Sequence, residues 1–159
     1  MWLPAAASGN VTGMRMRAIV AGVVLLGCAS CVLPARSYGA YEEKAATTAK
    51  AVASAVQNAN LAISLAVRRN AFAPYITTLL DESENDASSA QETLGSIQPP
   101  DDRSLSLFGE LDPVLDGAVK GLSDLRIAAR RGRLEDLPRG RVPLRDAATK
   151  LDAFLKEHG

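Results

Sequence analysis

The chain has 159 residues with 18 Lys and Arg against 18 Asp and Glu, a balance that excludes a global electrostatic pull toward nucleic acid. Its hydrophobic content is 47%, much of it alanine, and only 4% of residues are aromatic, a composition suited to closely approaching helices rather than β-sheet. Both cysteines, Cys28 and Cys31, stand near the N-terminus, so the rest of the chain carries no disulfide framework and no thiolate metal site.

The first element is an export signal over 1–27. Arg15 and Arg17 precede Ala18–Gly27, ten uncharged and mostly apolar residues, in the order of an n-region and an h-region. Residues 1–13 fit neither region, which places the expected translation start at Met14 or Met16. The stretch Leu25-Leu26-Gly27-Cys28 resembles the lipobox of bacterial lipoproteins, with Leu at −3, an aliphatic residue at −2, Gly at −1 and then Cys. The resemblance implies a diacylglyceryl group on the Cys28 sulfur and cleavage just before it. Leu26 is bulkier than the usual residue at −2, and Cys31 is a poorer acceptor because Cys28 would occupy its −3 position. Three alternatives compete, of which a buried core helix does not explain arginines, apolar run and cysteine in that order. An uncleaved membrane helix has only 16 residues, Ala18 to Leu33, where a span needs about 20. A secreted protein needs a small-x-small cleavage site, and Ala29-Ser30-Cys31 is a mediocre one. Losing the signal removes Arg15 and Arg17 and leaves 16 basic against 18 acidic residues.

Residues 28–41 read as a tether, and 42–159 as four helical segments with apolar positions spaced alternately four and three apart. The first carries Ala45, Ala49, Val52, Val56, Ala59, Ile63 and Ala66 and ends near Arg68-Arg69-Asn70. The second starts around Pro74, carries Ile76, Leu80, Ser83, Ala87, Ala90, Leu94 and Ile97, and stops at Pro99-Pro100. The third has Asp101 or Asp102 as N-cap and carries Phe108, Leu111, Leu115, Ala118, Leu122, Leu125 and Ala129. Pro113 inside it should kink it, or mark its true start with Asp112 as cap. The fourth starts near Pro143 and carries Leu144, Ala148, Leu151 and Leu155, with His158 next in line. Leu134–Leu137 supplies an extra turn before it. A repeated 3.5-residue spacing with short connections predicts an all-α, antiparallel up-down four-helix bundle.

Chemistry-bearing motifs are sparse. His158 is the only histidine, so triads and histidine-rich metal sites lack their base or ligands, and no metal or cofactor is expected. No Glu-x-x-His pair of the di-iron type occurs. Asp81, Glu82, Glu84 and Asp86 crowd the second segment and read as a solvated helix face. Gly132 and Gly140 read as helix-end and loop residues.

Charge placement is the informative pattern. Arg126, Arg130, Arg131, Arg133, Arg139, Arg141 and Arg145 face only Glu135 and Asp136 in the same stretch. In an up-down bundle this connection shares an end with Arg68 and Arg69. The other end gathers Glu42, Glu43, Asp101, Asp102, Glu110 and Asp112. Helix dipoles account for Arg68, Arg69, Arg130 and Arg131, but less well for the loop residues Arg133, Arg139 and Arg141. The expected function is a lipid-anchored, non-enzymatic interaction or structural module at the outer face of the cell membrane. Its arginine end would meet an acidic protein or an anionic envelope polymer, and nucleic acid is excluded for an exported chain without interleaved aromatics. The Ala- and Arg-rich, Lys-poor composition resembles that of small actinobacterial lipoproteins. One alternative is a carrier of a small apolar ligand, which needs a core cavity above about 300 Å³. Another is an enzyme built on inward-facing carboxylates with raised pKa values.

Overall fold

The computed structural model describes residues 36–159. The signal over 1–27, Cys28 and the start of the tether lie outside the described residues. Four helices follow in order: α1 (Tyr38–Val67), α2 (Ala73–Gly95), α3 (Asp102–Arg130) and α4 (Arg141–His158), with a 3-10 helix (Leu134–Gly140) before α4. They form an antiparallel up-down bundle in which each helix packs on its chain neighbour and α4 closes back on α1. No described helix is long and apolar enough to cross a membrane.

Local chemistry sets the helix starts. Ser37 caps α1 by accepting from the Ala40 amide, and Pro74 sits in the first turn of α2. Asp101 caps α3, its carboxylate accepting from the Ser104 amide at 2.7 Å. That hydrogen bond favours the charged form and holds the Asp101 carboxyl below the usual range. α1 therefore starts within the stretch expected as tether, and Tyr41 from that stretch is fully buried. α2 ends at Gly95, short of the expected Pro99-Pro100 boundary, yet Ile97 beyond it still packs into the core.

α1 is the hub. The expected seam is buried from Ala45 to Ile63, flanked on one side by buried Ala46 and Ala53 and on the other by buried Ala55 and Ala62. Methyl side chains along the seam and both flanks let α1 touch α2, α4 and the 3-10 helix, and reach α3 across the bundle diagonal. Bulk comes from Tyr41, Val52 and Ile63 of α1 and from its partners: Leu80 and Leu94, then Leu111, Leu115 and Leu122, then Leu137, Leu144 and Leu151, all essentially inaccessible. Each leucine contributes about 1.5–3 kcal/mol by burial.

Two expectations need correction. Pro113 neither starts nor ends α3, which runs unbroken through it. Its ring displaces one hydrogen bond to the carbonyl of Gly109, and both residues are exposed, so water takes up the freed oxygen. In α4 the buried face is Leu144, Ala147, Leu151 and Phe154, while Ala148 and Leu155 are only half-buried. Adjacent apolar pairs at 147/148 and 154/155 make two registers possible, and the larger Phe154 takes the core position.

Gly140 is a point of close approach. A β-carbon there would stand 2.5 Å from Leu125 Cδ2 and 3.0 Å from its Cγ, and Leu125 is buried. Gly140→Ala is expected to cost about 1–3 kcal/mol by overpacking. Gly109→Ala, where a β-carbon meets nothing within 4 Å, is expected to gain about 0.5–1 kcal/mol. Urea unfolding of the two variants checks this, and the opposite order would contradict the packing described.

Candidate functional site

Two helix ends at the arginine-rich end close with the same six-residue motif. At the end of α3 the Arg133 amide bonds Ala128 oxygen at 3.0 Å and the Gly132 amide bonds Ala129 oxygen at 2.9 Å. Gly132 sits at φ 72°, the left-handed geometry this motif requires. At the end of α1 the Asn70 amide bonds Leu65 oxygen and the Arg69 amide bonds Ala66 oxygen, each at 3.1 Å. Here the left-handed position, φ 54°, is held by Arg69. A side chain in that region costs about 1–2 kcal/mol that glycine avoids.

The connection from α1 to α2 carries more than Arg69. Phe72 is 87% exposed, and Val67 and Tyr75 on either side of it are more than half exposed. A large aromatic left in water beside Arg68 and Arg69 has no role in the core. Across the same end, Val142 at the start of α4 is also exposed.

The fold divides the sequence-predicted arginines into two groups. Arg130 pairs with Asp81 of α2 at 2.6 Å, and Arg139 and Arg133 flank Asp136 at 2.8 and 3.9 Å. Arg141 donates to Ser64 Oγ of α1 and lines a groove of about 350 Å³ with Asn60, Arg145 and Ala148. Arg68, Arg69 and Arg131 are exposed and form no ion pair among the described residues. Cys28, the predicted lipid acceptor, lies outside the described residues.

The acidic run on α2 is not wholly a solvated face. Glu84 meets Arg126 of α3 through both carboxylate oxygens, at 2.5 Å from Nε and 3.2 Å from Nη2, with both side chains largely shielded. This fork ties α2 to α3 and removes Arg126 from the free basic surface. Glu82 and Asp86 remain exposed.

At the opposite end, the C-terminus of α4 returns to the start of α1. His158 Nδ1 lies 3.0 Å from Glu42 Oε1, and the Tyr38 hydroxyl donates to the same oxygen at 2.9 Å. These two hydrogen bonds, the His158 one foremost, hold the Glu42 carboxyl below its usual range. Arg103 stacks over the Tyr38 ring at 3.7 Å, and Phe154 lies 4.6 Å from the His158 ring. Glu110 of α3 and Glu157 of α4 complete a group with His158 whose potential ligand atoms all lie within 4.8 Å of one another. The expectation of no metal rested on the single histidine, the lack of cysteines in the folded part and the missing Glu-x-x-His pair; this group sets that one histidine beside two carboxylates, from α3 and α4. Tyr41 is buried nearby with an unpartnered hydroxyl, and burial, with the Asp112 carboxylate second, pushes its pKa up.

The cavities of 340–360 Å³ lined by described residues are grooves open at the surface. One lies between α1 and α2 along Lys44, Thr48 and Thr93, one between α1 and α4, and one between Arg69 and the 3-10 helix. Compared with family models, with curated proteins and with solved structures, the chain matches none.

Proposed function

We propose that this chain is a lipid-anchored envelope protein whose arginine-rich end docks an acidic protein, with no catalytic role. The observation that carries the reading is the α1–α2 connection. Arg69 is held in a left-handed geometry where glycine is relaxed, unpaired among the described residues, three residues from the exposed Phe72. Strain retained at an exposed cation is explained by a use for that cation. Arginines around an aromatic anchor suit a folded protein surface better than a flexible polymer, because the aromatic needs a pocket to fill.

The remaining features fit the same reading. The grooves of 340–360 Å³ among the described residues are open at the surface, where a carrier of an apolar ligand would enclose it. The carboxyls of Glu42 and Asp101 are held low, the direction opposite to that of a carboxyl kept protonated for acid catalysis. The anchor rests on the lipobox resemblance at Cys28. Nine residues lie between Cys28 and Tyr38, so the tether joins the bundle at its acidic end. The arginine end, about 45 Å away along α1, is then the outward one.

Cys28→Ala is expected to move the protein from the membrane to the soluble fraction and to abolish a diacylglyceryl mass on the mature N-terminus. Unchanged membrane retention would overturn the anchor. For the docking end, Arg69→Gly is expected to raise stability by about 1 kcal/mol while weakening capture of an acidic, salt-eluted protein from envelope extract. Higher stability with capture unchanged would remove Arg69 from the docking surface. Capture of a wall polymer in place of a protein would favour the polymer reading.

A further inference from the structure

The acidic end holds an arrangement that the docking function does not use. His158 is the only histidine, and its side chain is 12% exposed. Its Nδ1 faces Glu42, and its Nε2 is buried without a hydrogen-bond partner among the described residues. A carboxylate on one ring nitrogen takes that nitrogen's proton as a hydrogen bond and leaves the lone pair of the other nitrogen free. That is the arrangement by which proteins prepare an imidazole to bind a metal ion. Glu42 is itself fixed by the Tyr38 hydroxyl, and Tyr38 by the Arg103 guanidinium stacked on its ring.

Two more ligands stand beside the ring. Glu110 comes from α3, and Glu157 directly precedes His158 on α4. Around a tetrahedral ion with ligands at about 2.0–2.2 Å, donor atoms lie about 3.4 Å apart. The 4.8 Å limit on the present group therefore asks the donors to close by little more than 1 Å. Glu110 and Glu157 are exposed, so their long side chains are free to make that adjustment. Phe154 covers one side of the imidazole and fixes its plane.

We propose that His158 Nε2, Glu110 and Glu157 bind one divalent transition-metal ion of the zinc class, with Glu42 orienting the imidazole and water completing the shell. An imidazole with two carboxylates suits Zn²⁺ and its neighbours, whereas Mg²⁺ and Ca²⁺ call for an all-oxygen set. Because the ligands come from α3 and α4, and Glu42 from α1, the bound ion would fasten the end of α4 to the bundle. The inference is independent of the docking proposal, which concerns the opposite end.

The test uses the full chain in detergent with Cys28 and Cys31 both changed to serine, so that no thiolate contributes. Zn²⁺ is titrated calorimetrically at pH 7.5, and thermal midpoints are read with and without the ion. The expected result is one Zn²⁺ per chain, a raised midpoint, and no rise with equal Mg²⁺ or Ca²⁺. His158→Gln is expected to abolish saturable binding. Glu110→Gln, an exposed change that leaves the fold intact, is expected to weaken it at least tenfold. Glu42→Gln, which touches no ion, is expected to weaken it about 10–100-fold. Absence of saturable binding below about 100 µM Zn²⁺, or one-to-one binding retained in both His158→Gln and Glu110→Gln, would overturn the proposal.

Discussion

Close packing of α1 against the other three helices shapes this bundle, and it draws on alanine. Ala45, Ala49, Ala55, Ala59 and Ala62 present only methyl groups between the larger Tyr41, Val52, Val56 and Ile63, so neighbouring backbones come close along much of α1. The opposing leucines of α3 and α4 then have shallow sockets to fill. Enlarging one of those alanines would push α3 away and lose the packing of Leu111, Leu115 and Leu122 together. With α1 at the centre, its two ends become the places where the other helices start and stop, and the charged residues gather there.

Those ends use charge differently. At the arginine end the helix-closing motif appears twice, once with Gly132 and once with Arg69. Several neighbouring arginines are held by Asp81, Asp136 and Ser64, while Arg68, Arg69, Arg131 and Arg145 at this end are exposed and form no ion pair among the described residues. At the acidic end the charges converge on a single imidazole. Tyr38, Glu42, Glu110 and Glu157 surround or support His158, and three helices contribute. One end presents exposed cations and an aromatic to solvent; the other gathers an imidazole and carboxylates in a small space.

Helix number, order and most of the seam were legible in the sequence because a 3.5-residue period survives any uncertainty about helix ends. The errors came where that period does not decide. α1 buries alanines on both flanks of its seam, Ala46 and Ala53 on one side and Ala55 and Ala62 on the other, and a single-seam reading finds neither pair. The pair Phe154/Leu155 permits two registers for α4, and only packing chooses between them. Pro113 looked like a boundary, but exposure of Pro113 and Gly109 lets the helix continue. The charged ends were legible in outline and not in detail. Pairing of Glu84 with Arg126 spans 42 positions and that of Glu42 with His158 spans 116, so neither leaves a local signature. Phe72 did leave one, as a large aromatic outside every apolar row just before Pro74.

The central claim is that α1 is the element every other part of the bundle depends on. Amide hydrogen exchange across residues 52–59 of α1, set against global unfolding by urea, tests it most directly. If α1 is the hub, these amides open only with the whole molecule and report the global unfolding free energy. Exchange from residues 52–59 at a lower free energy than from the centres of α2 and α3 would contradict it, since α1 could then leave a bundle that persists without it.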